Sequence, residues 1–163
     1  SAPAKLMVSD IREKQEGNDM KRKIVPDVVE NQTIRSISGS ATAREAVEIM
    51  AEHHISALLV TKGDKLEGIF TERDISVKII ANGKDSDKTK ISQVMTKNPV
   101  TISPDDLAMD ALQKMCELGF RHLPVVDGER VVGMVSVRDL YVTVQEQLED
   151  DMKFRDAYIF GTG

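Results

Sequence analysis

Apolar residues along this chain fall into two alternating patterns. Ala43, Ala46, Val47 and Met50 recur at helical spacing and predict one buried stripe. Ala57-Leu58-Leu59-Val60 is then a continuous apolar run. The polar turn Lys62-Gly63-Asp64-Lys65 and a return run from Leu66 to Phe70 follow it, which predicts a strand, a turn and a strand. Ile75, Ile79 and Ile80 place a second helix that starts near Asp74 and stops at the Asn82-Gly83 signal. The succession then returns. Ala108, Ala111, Leu112 and Met115 form a stripe, and Leu123-Pro124-Val125-Val126, the Asp127-Gly128 turn and the run Val131 to Val135 form a hairpin. Leu140, Val144 and Leu148 mark a long final helix.

The return is a duplication. Gly68-Ile69-Phe70-Thr71-Glu72-Arg73-Asp74 comes back 65 residues later as Gly133-Met134-Val135-Ser136-Val137-Arg138-Asp139, and the register holds without a gap from Ser36/Thr101 to Val77/Val142. Each copy is expected to be strand, helix, strand, strand, helix, the second opening on a strand Val100-Thr101-Ile102. A sheet this small cannot bury its apolar face alone. The expectation is therefore an α+β fold in which two β-α-β-β-α repeats pack sheet against sheet about a pseudo-two-fold axis, leaving two related clefts. The boundaries expected are an N-terminal helix and connector over 1–33, the first repeat over 34–83, a linker over 84–93, the second repeat over 94–148 and a tail over 149–163.

Local signals refine this outline. Thr42-Ala43-Arg44-Glu45 fits a capping box, and Ser103-Pro104-Asp105-Asp106 reads as a helix start with carboxylates at the positive end. Leu6, Met7 and Ile11 give residues 4–16 a weak helical pattern. Gly17 to Asp27, with Lys21-Arg22-Lys23 and Pro26, reads as an exposed connector whose basic run is a solvated surface. The tail is charged from Glu149 until Tyr158-Ile159-Phe160, whose apolar side chains are expected to dock.

Composition narrows the function classes. A net charge of -5 gives no pull toward nucleic acid or anionic membrane. Apolar runs stay well short of the ~20 residues of a membrane span, and tryptophan is absent, so a base-stacking platform is disfavoured. Cys116 is the single cysteine, which rules out an intrachain disulfide framework and favours a reducing, cytoplasmic compartment. Beside the Met115 stripe it is expected to be a buried structural thiol rather than a nucleophile. The His53-His54 pair does not read as a metal site, because adjacent residues on a helix point about 100° apart and no Cys or carboxylate constellation accompanies them. No general acid/base pair or phosphate-gripping glycine loop stands out, so the chain is not read as an enzyme.

The order strand-helix, then Leu-Pro-Val-Val-Asp-Gly, then Gly-Met-Val-Ser-Val-Arg-Asp resembles a cystathionine-β-synthase (CBS) domain. Two in tandem over residues 34–148 resemble a Bateman module of the stand-alone CBS-pair type, in which a short helix, here near Val8-Ser9-Asp10-Ile11, precedes the pair. The resemblance implies an adenosyl ligand: AMP, ADP, ATP, NAD(H) or S-adenosylmethionine. It also implies sites in which the motif Asp receives the ribose hydroxyls and the motif Thr or Ser holds ribose or phosphate. Carried over, one site combines Thr71, Arg73 and Asp74 with Thr101, Ile102, Arg121, His122 and Leu123. The other combines Ser136, Arg138 and Asp139 with Ser36, Ile37, Ser56, Ala57 and Leu58. The resemblance further implies a homodimer and a regulated partner protein.

Two readings of Thr71-x-x-Asp74 and Ser136-x-x-Asp139 stand side by side. Either each Asp binds a sugar edge, where hydrogen bonds to a charged acceptor contribute about 1.5–3 kcal/mol, or each simply caps a helix. Counting Arg73, Arg121 and His122 as donors, the Asp74 cleft is expected to prefer phosphorylated ligands and bind them more tightly. The function expected is a regulatory adenosyl-ligand sensor; the alternative is a structural dimerisation scaffold without ligand.

Overall fold

The computed structural model describes residues 21–160, with side chains to residue 157. The helix expected within residues 4–16 and the docking of the Tyr158, Ile159 and Phe160 side chains lie outside the described residues. In chain order the elements are a wide π-type turn Ile24–Val28, β1 (Ser36–Ile37), α1 (Ala43–His53), β2 (Ala57–Lys62), β3 (Lys65–Thr71) and α2 (Glu72–Asp74), which runs straight into π-type turns Ile75–Ile80. Then come α3 (Ile91–Val94), β4 (Thr96–Lys97), α4 (Ala108–Leu118), β5 (His122–Asp127), β6 (Arg130–Ser136) and α5 (Val137–Phe160). Among the described residues no helix is long and apolar enough to cross a membrane.

Helix and strand reasoning holds where the apolar period is strong. Thr42 and Glu45 close the capping box: Thr42 N donates to Glu45 Oε2 at 2.8 Å and Glu45 N to Thr42 Oγ1 at 3.2 Å. Ala43, Ala46 and Met50 of α1 are buried, as are Ala108, Ala111 and Met115 of α4. Cys116 is exposed, not buried as expected. One helical step from Met115 turns it off the core stripe. Three further expectations fail. Val100-Thr101-Ile102 forms no strand; only Ile102 makes a single β-bridge. The strand there is β4, five residues earlier than Thr101. Ser103 to Asp106 is a turn, with Ser103 N donating to Asp106 Oδ2 at 2.8 Å, and α4 starts one turn later with Leu107 as its cap residue. Finally, α5 does not end with its apolar stripe but continues through the charged stretch to Phe160, carried by strong helix formers such as Glu149, Met152, Lys153 and Ala157.

The chain gathers into two compact units that cut across the repeats. One holds Gln32–Thr101 with Pro124–Met134; the other holds Ile102–Leu123 with residues 21–31 and 135–160 of the described chain. In the first unit β1 lies parallel to β2, β2 antiparallel to β3, and β4 pairs Gly68↔Lys97 and Ile69↔Thr96 on the far edge of β3. Lys65↔Arg130 links β3 to β6, so the strands follow one hydrogen-bonded path rather than two separate sheets. The core here is Ile37, Ala46, Met50, Leu58, Val60, Phe70, Ile79, Ile91 and Val94. In the second unit α4 packs on α5, and Ile24, Leu123, Val135 and Leu140 are fully or almost fully buried.

Of the connector expected over Gly17 to Asp27, the described part is exposed at Lys21, Lys23, Pro26 and Asp27, but Ile24 is fully buried, and Val29 just beyond the connector is 6% exposed. The main chain of this segment docks on the start of α4. Ala108 N donates to Arg22 O (2.9 Å), Ile24 N to Asp106 O (2.9 Å) and Val25 N to Pro104 O (3.0 Å). The same three bonds recur in the other unit, where Ala43 N donates to Thr89 O (2.8 Å), Ile91 N to Ala41 O (2.9 Å) and Ser92 N to Gly39 O (2.9 Å). The duplication therefore extends upstream of Ser36, and each leading segment docks on the helix of the other repeat. Only one detail differs. Val29 N reaches Ile24 O five residues back, where Met95 N reaches Ile91 O four back. One extra residue widens the turn of the first leader and a second falls between Val29 and Ile37, which together hide the repeat from a gapless comparison.

Two predictions follow from backbone geometry. A Cβ on Gly68 would lie 2.7 Å from Thr96 O and 2.7 Å from Met95 Sδ, and the carbonyl cannot step aside without breaking the β3–β4 pairing. Gly68→Ala is expected to lower stability by about 1–3 kcal/mol in urea unfolding. His54, the residue after α1, has φ 52°, where its counterpart Gly119 has φ 73°. His54→Gly relieves that left-handed conformation and is expected to raise Tm by about 2–4 °C in a thermal melt.

Candidate functional site

The residues expected to bind ligand divide between the two units. Ser36, Ile37, Ser56, Ala57, Leu58, Thr71, Arg73, Asp74 and Thr101 belong to one; Ile102, Arg121, His122, Leu123, Ser136, Arg138 and Asp139 belong to the other. Ile37, Ala57, Leu58, Ile102 and Leu123 are buried, so their side chains serve the core. Arg73, Arg121 and Arg138 are exposed.

In the first unit, β2 and β3 bring Ser56 and Ala57 beside Thr71. Ala57 is the register partner of Thr71, and Glu72 N donates to Ser56 O at 3.0 Å. In the second, Val137 N donates to Arg121 O at 2.8 Å, which sets Arg121 beside the Ser136–Asp139 element. Each unit thus gathers the residues before its Leu strand with the Thr/Ser-x-x-Asp element of the same repeat. The Asp139 element therefore has Arg121 as well as Arg138 for a neighbour.

The two acids differ in state. Asp74 is 6% exposed. Its Oδ2 accepts from Thr71 N at 2.9 Å and Thr71 Oγ1 at 3.3 Å, and its Oδ1 meets Lys78 Nζ at 2.9 Å. The same ammonium donates to Val94 O at 2.9 Å, tying the helical segment after β3 to α3. Asp139 is exposed. It completes a capping box in which Ser136 N donates to Asp139 Oδ2 at 3.0 Å and Asp139 N donates to Ser136 Oγ at 3.1 Å. No ion pair holds it among the described residues. The helix-cap reading is thus literally present at both acids, but at Asp139 one carboxylate oxygen remains open.

Lys78 was missed by sequence reasoning, although Asp and Lys four apart on a helix is a legible pairing signal. The count of donors that favoured the Asp74 cleft did not include it. Of the remaining histidines, His53 Nε2 lies 3.4 Å from Arg35 Nη1 at the end of α1.

The comparisons with known proteins agree with this architecture. The CBS domain model matches residues 18–80 and 91–146. CBS domain-containing protein CBSCBSPB5 of Arabidopsis thaliana is 43% identical over 103 residues, which is 63% of this chain but 19% of that protein. This chain therefore spans about a fifth of that relative's length. A protein with CBS domains from Burkholderia ambifaria superposes with a TM-score of 0.70 at 32% identity, over 74% of this chain and 92% of the other. The CBS domain protein PAE2072 from Pyrobaculum aerophilum, complexed with AMP, gives a TM-score of 0.63 at 25% identity, over 69% and 87%. With both repeats matched in sequence, and the second leader docked as the first is, this chain belongs to the CBS-domain family and carries two CBS domains in tandem.

Proposed function

We propose that this chain is a regulatory module that binds an adenosyl ligand and passes its occupancy to a partner protein, without catalysing a reaction. The observation that carries the reading is the Ser136–Asp139 element. Its exposed carboxylate has an oxygen open to ribose hydroxyls, and two exposed arginines, Arg138 next to it in the chain and Arg121 joined by its main chain to Val137, are residues suited to a phosphate. The solved relative complexed with AMP supports the ligand class, and AMP, ADP and ATP are the first candidates, with NAD(H) and S-adenosylmethionine next. A homodimer in the cytoplasm is the assembly proposed. Ligand acts by favouring one of two arrangements that the module already samples.

A second reading, a dimerisation scaffold with closed sites, is favoured at one place only. At Asp74 both oxygens are already held by protein donors.

A nucleotide panel in a thermal melt separates the two. Ligand at a hundredfold excess over Kd is expected to stabilise the fold by about 2.7 kcal/mol, a Tm rise of about 5–10 °C for a chain of this size. Asp139→Ala, at the same ligand concentration, is expected to cut the rise to about half or less. A flat response across the whole panel would leave the scaffold standing.

A further inference from the structure

We infer that Lys78 is a built-in plug for the first repeat: its ammonium takes the place of a ligand at Asp74, so that only the second repeat's acid is open. This rests on the reading of the motif Asp as the ribose acceptor and specifies which of the two copies works.

An ionised carboxylate offers about four lone-pair sites. At Asp74 three are used, two on Oδ2 by Thr71 N and Oγ1 and one on Oδ1 by Lys78 Nζ. A ribose diol brings two donors and finds one site left, on a side chain that is 9% exposed. At Asp139 one site is used, on Oδ2 by Ser136 N, and the group faces solvent.

The difference has one source in sequence. The duplication places Thr143 where the first copy has Lys78. Thr143 is buried and too short to deliver a cation to the carboxylate four residues before it. Lys78 is also braced: its second bond, to Val94 O at 2.9 Å, fixes the ammonium against the leader of the second repeat. Displacing it from Asp74 means leaving a buried acid without its counter-charge unless the ligand supplies one.

The test uses AMP and isothermal titration on the intact chain. In the wild type, Asp139→Ala is expected to weaken AMP binding at least about tenfold, the loss of a charged hydrogen bond, while Asp74→Ala changes it less than about twofold. Replacing the plug by its own counterpart, Lys78→Thr, is expected to add a second AMP site of measurable affinity. In the Asp139→Ala background, the same change is expected to restore binding that Asp74→Ala then removes.

Equal losses from Asp74→Ala and Asp139→Ala in the wild type would overturn the plug while keeping the sensor reading. That comparison does not depend on how well Lys78→Thr folds. A folded Lys78→Thr chain, checked by circular dichroism, that gains no AMP site would also overturn it. Binding that appears only after Lys78→Thr would support the plug and refute the Asp139 site.

Discussion

The fold rests on an exchange of main-chain hydrogen bonds between the halves of the duplication. The first amide groups of any helix lack partners within the helix. In both copies the first of them, Ala43 N and Ala108 N, is satisfied by a carbonyl of the other copy's leading segment, Thr89 O and Arg22 O. Leaving such a group buried and unmatched costs about 1–3 kcal/mol. Neither repeat can therefore be closed without chain that sequence order assigns to its sibling. The linker over 84–93 is not a boundary between the two units, since it lies wholly within one of them. The dependence is heavier on the second copy. Thr42 caps α1 with its own side chain, whereas Leu107, in the same place before α4, has no side-chain cap bond and relies on the leader.

How far this was legible in the sequence depends on the range of the interaction. Periodicity located both helix stripes, both hairpins and the α5 core positions, because those signals are carried by residues three, four or two apart. The capping box at Thr42 and Glu45 was readable for the same reason. The leaders were not. Ile24 and Ile91 are equivalent at a shift of 67, not 65, and the extra residues between Ile24 and Ile37 break the alignment just where it matters. Lys21-Arg22-Lys23 added a misleading polarity. Arg22 is instead drawn in, with Nη2 2.8 Å from Asp150 and Nη1 3.5 Å from Glu146 of α5. Ser103 to Asp106 misled in a different way. Asx and Ser chemistry serves turns as well as helix starts, and docking of the first leader selected the turn. At the site, the motif acids and their capping partners were visible from spacing, but their electrostatic state was not. That state depends on burial and on Lys78, which the motif does not include.

Burial and counter-charge explain each other at these two acids. A carboxylate removed from water loses hydration worth several kcal/mol, which a nearby cation and hydrogen bonds must offset. Asp74, at 6% exposed, has that compensation in Lys78, Thr71 N and Thr71 Oγ1. Asp139 remains in contact with water and is stable with a single amide donor. With a lysine four residues on, the acid of the first copy is buried and ion-paired. The other copy has threonine there, and its acid lies at the surface. The two copies share a motif, and the lysine a helical turn from Asp74, with threonine in its place in the second copy, goes with the difference between a buried, ion-paired acid and an exposed one. The bond from that side chain to Val94 O adds a mechanical consequence. The charge that closes the first acid also pins the segment leading into β4, so its release would free main chain that the β3 edge depends on.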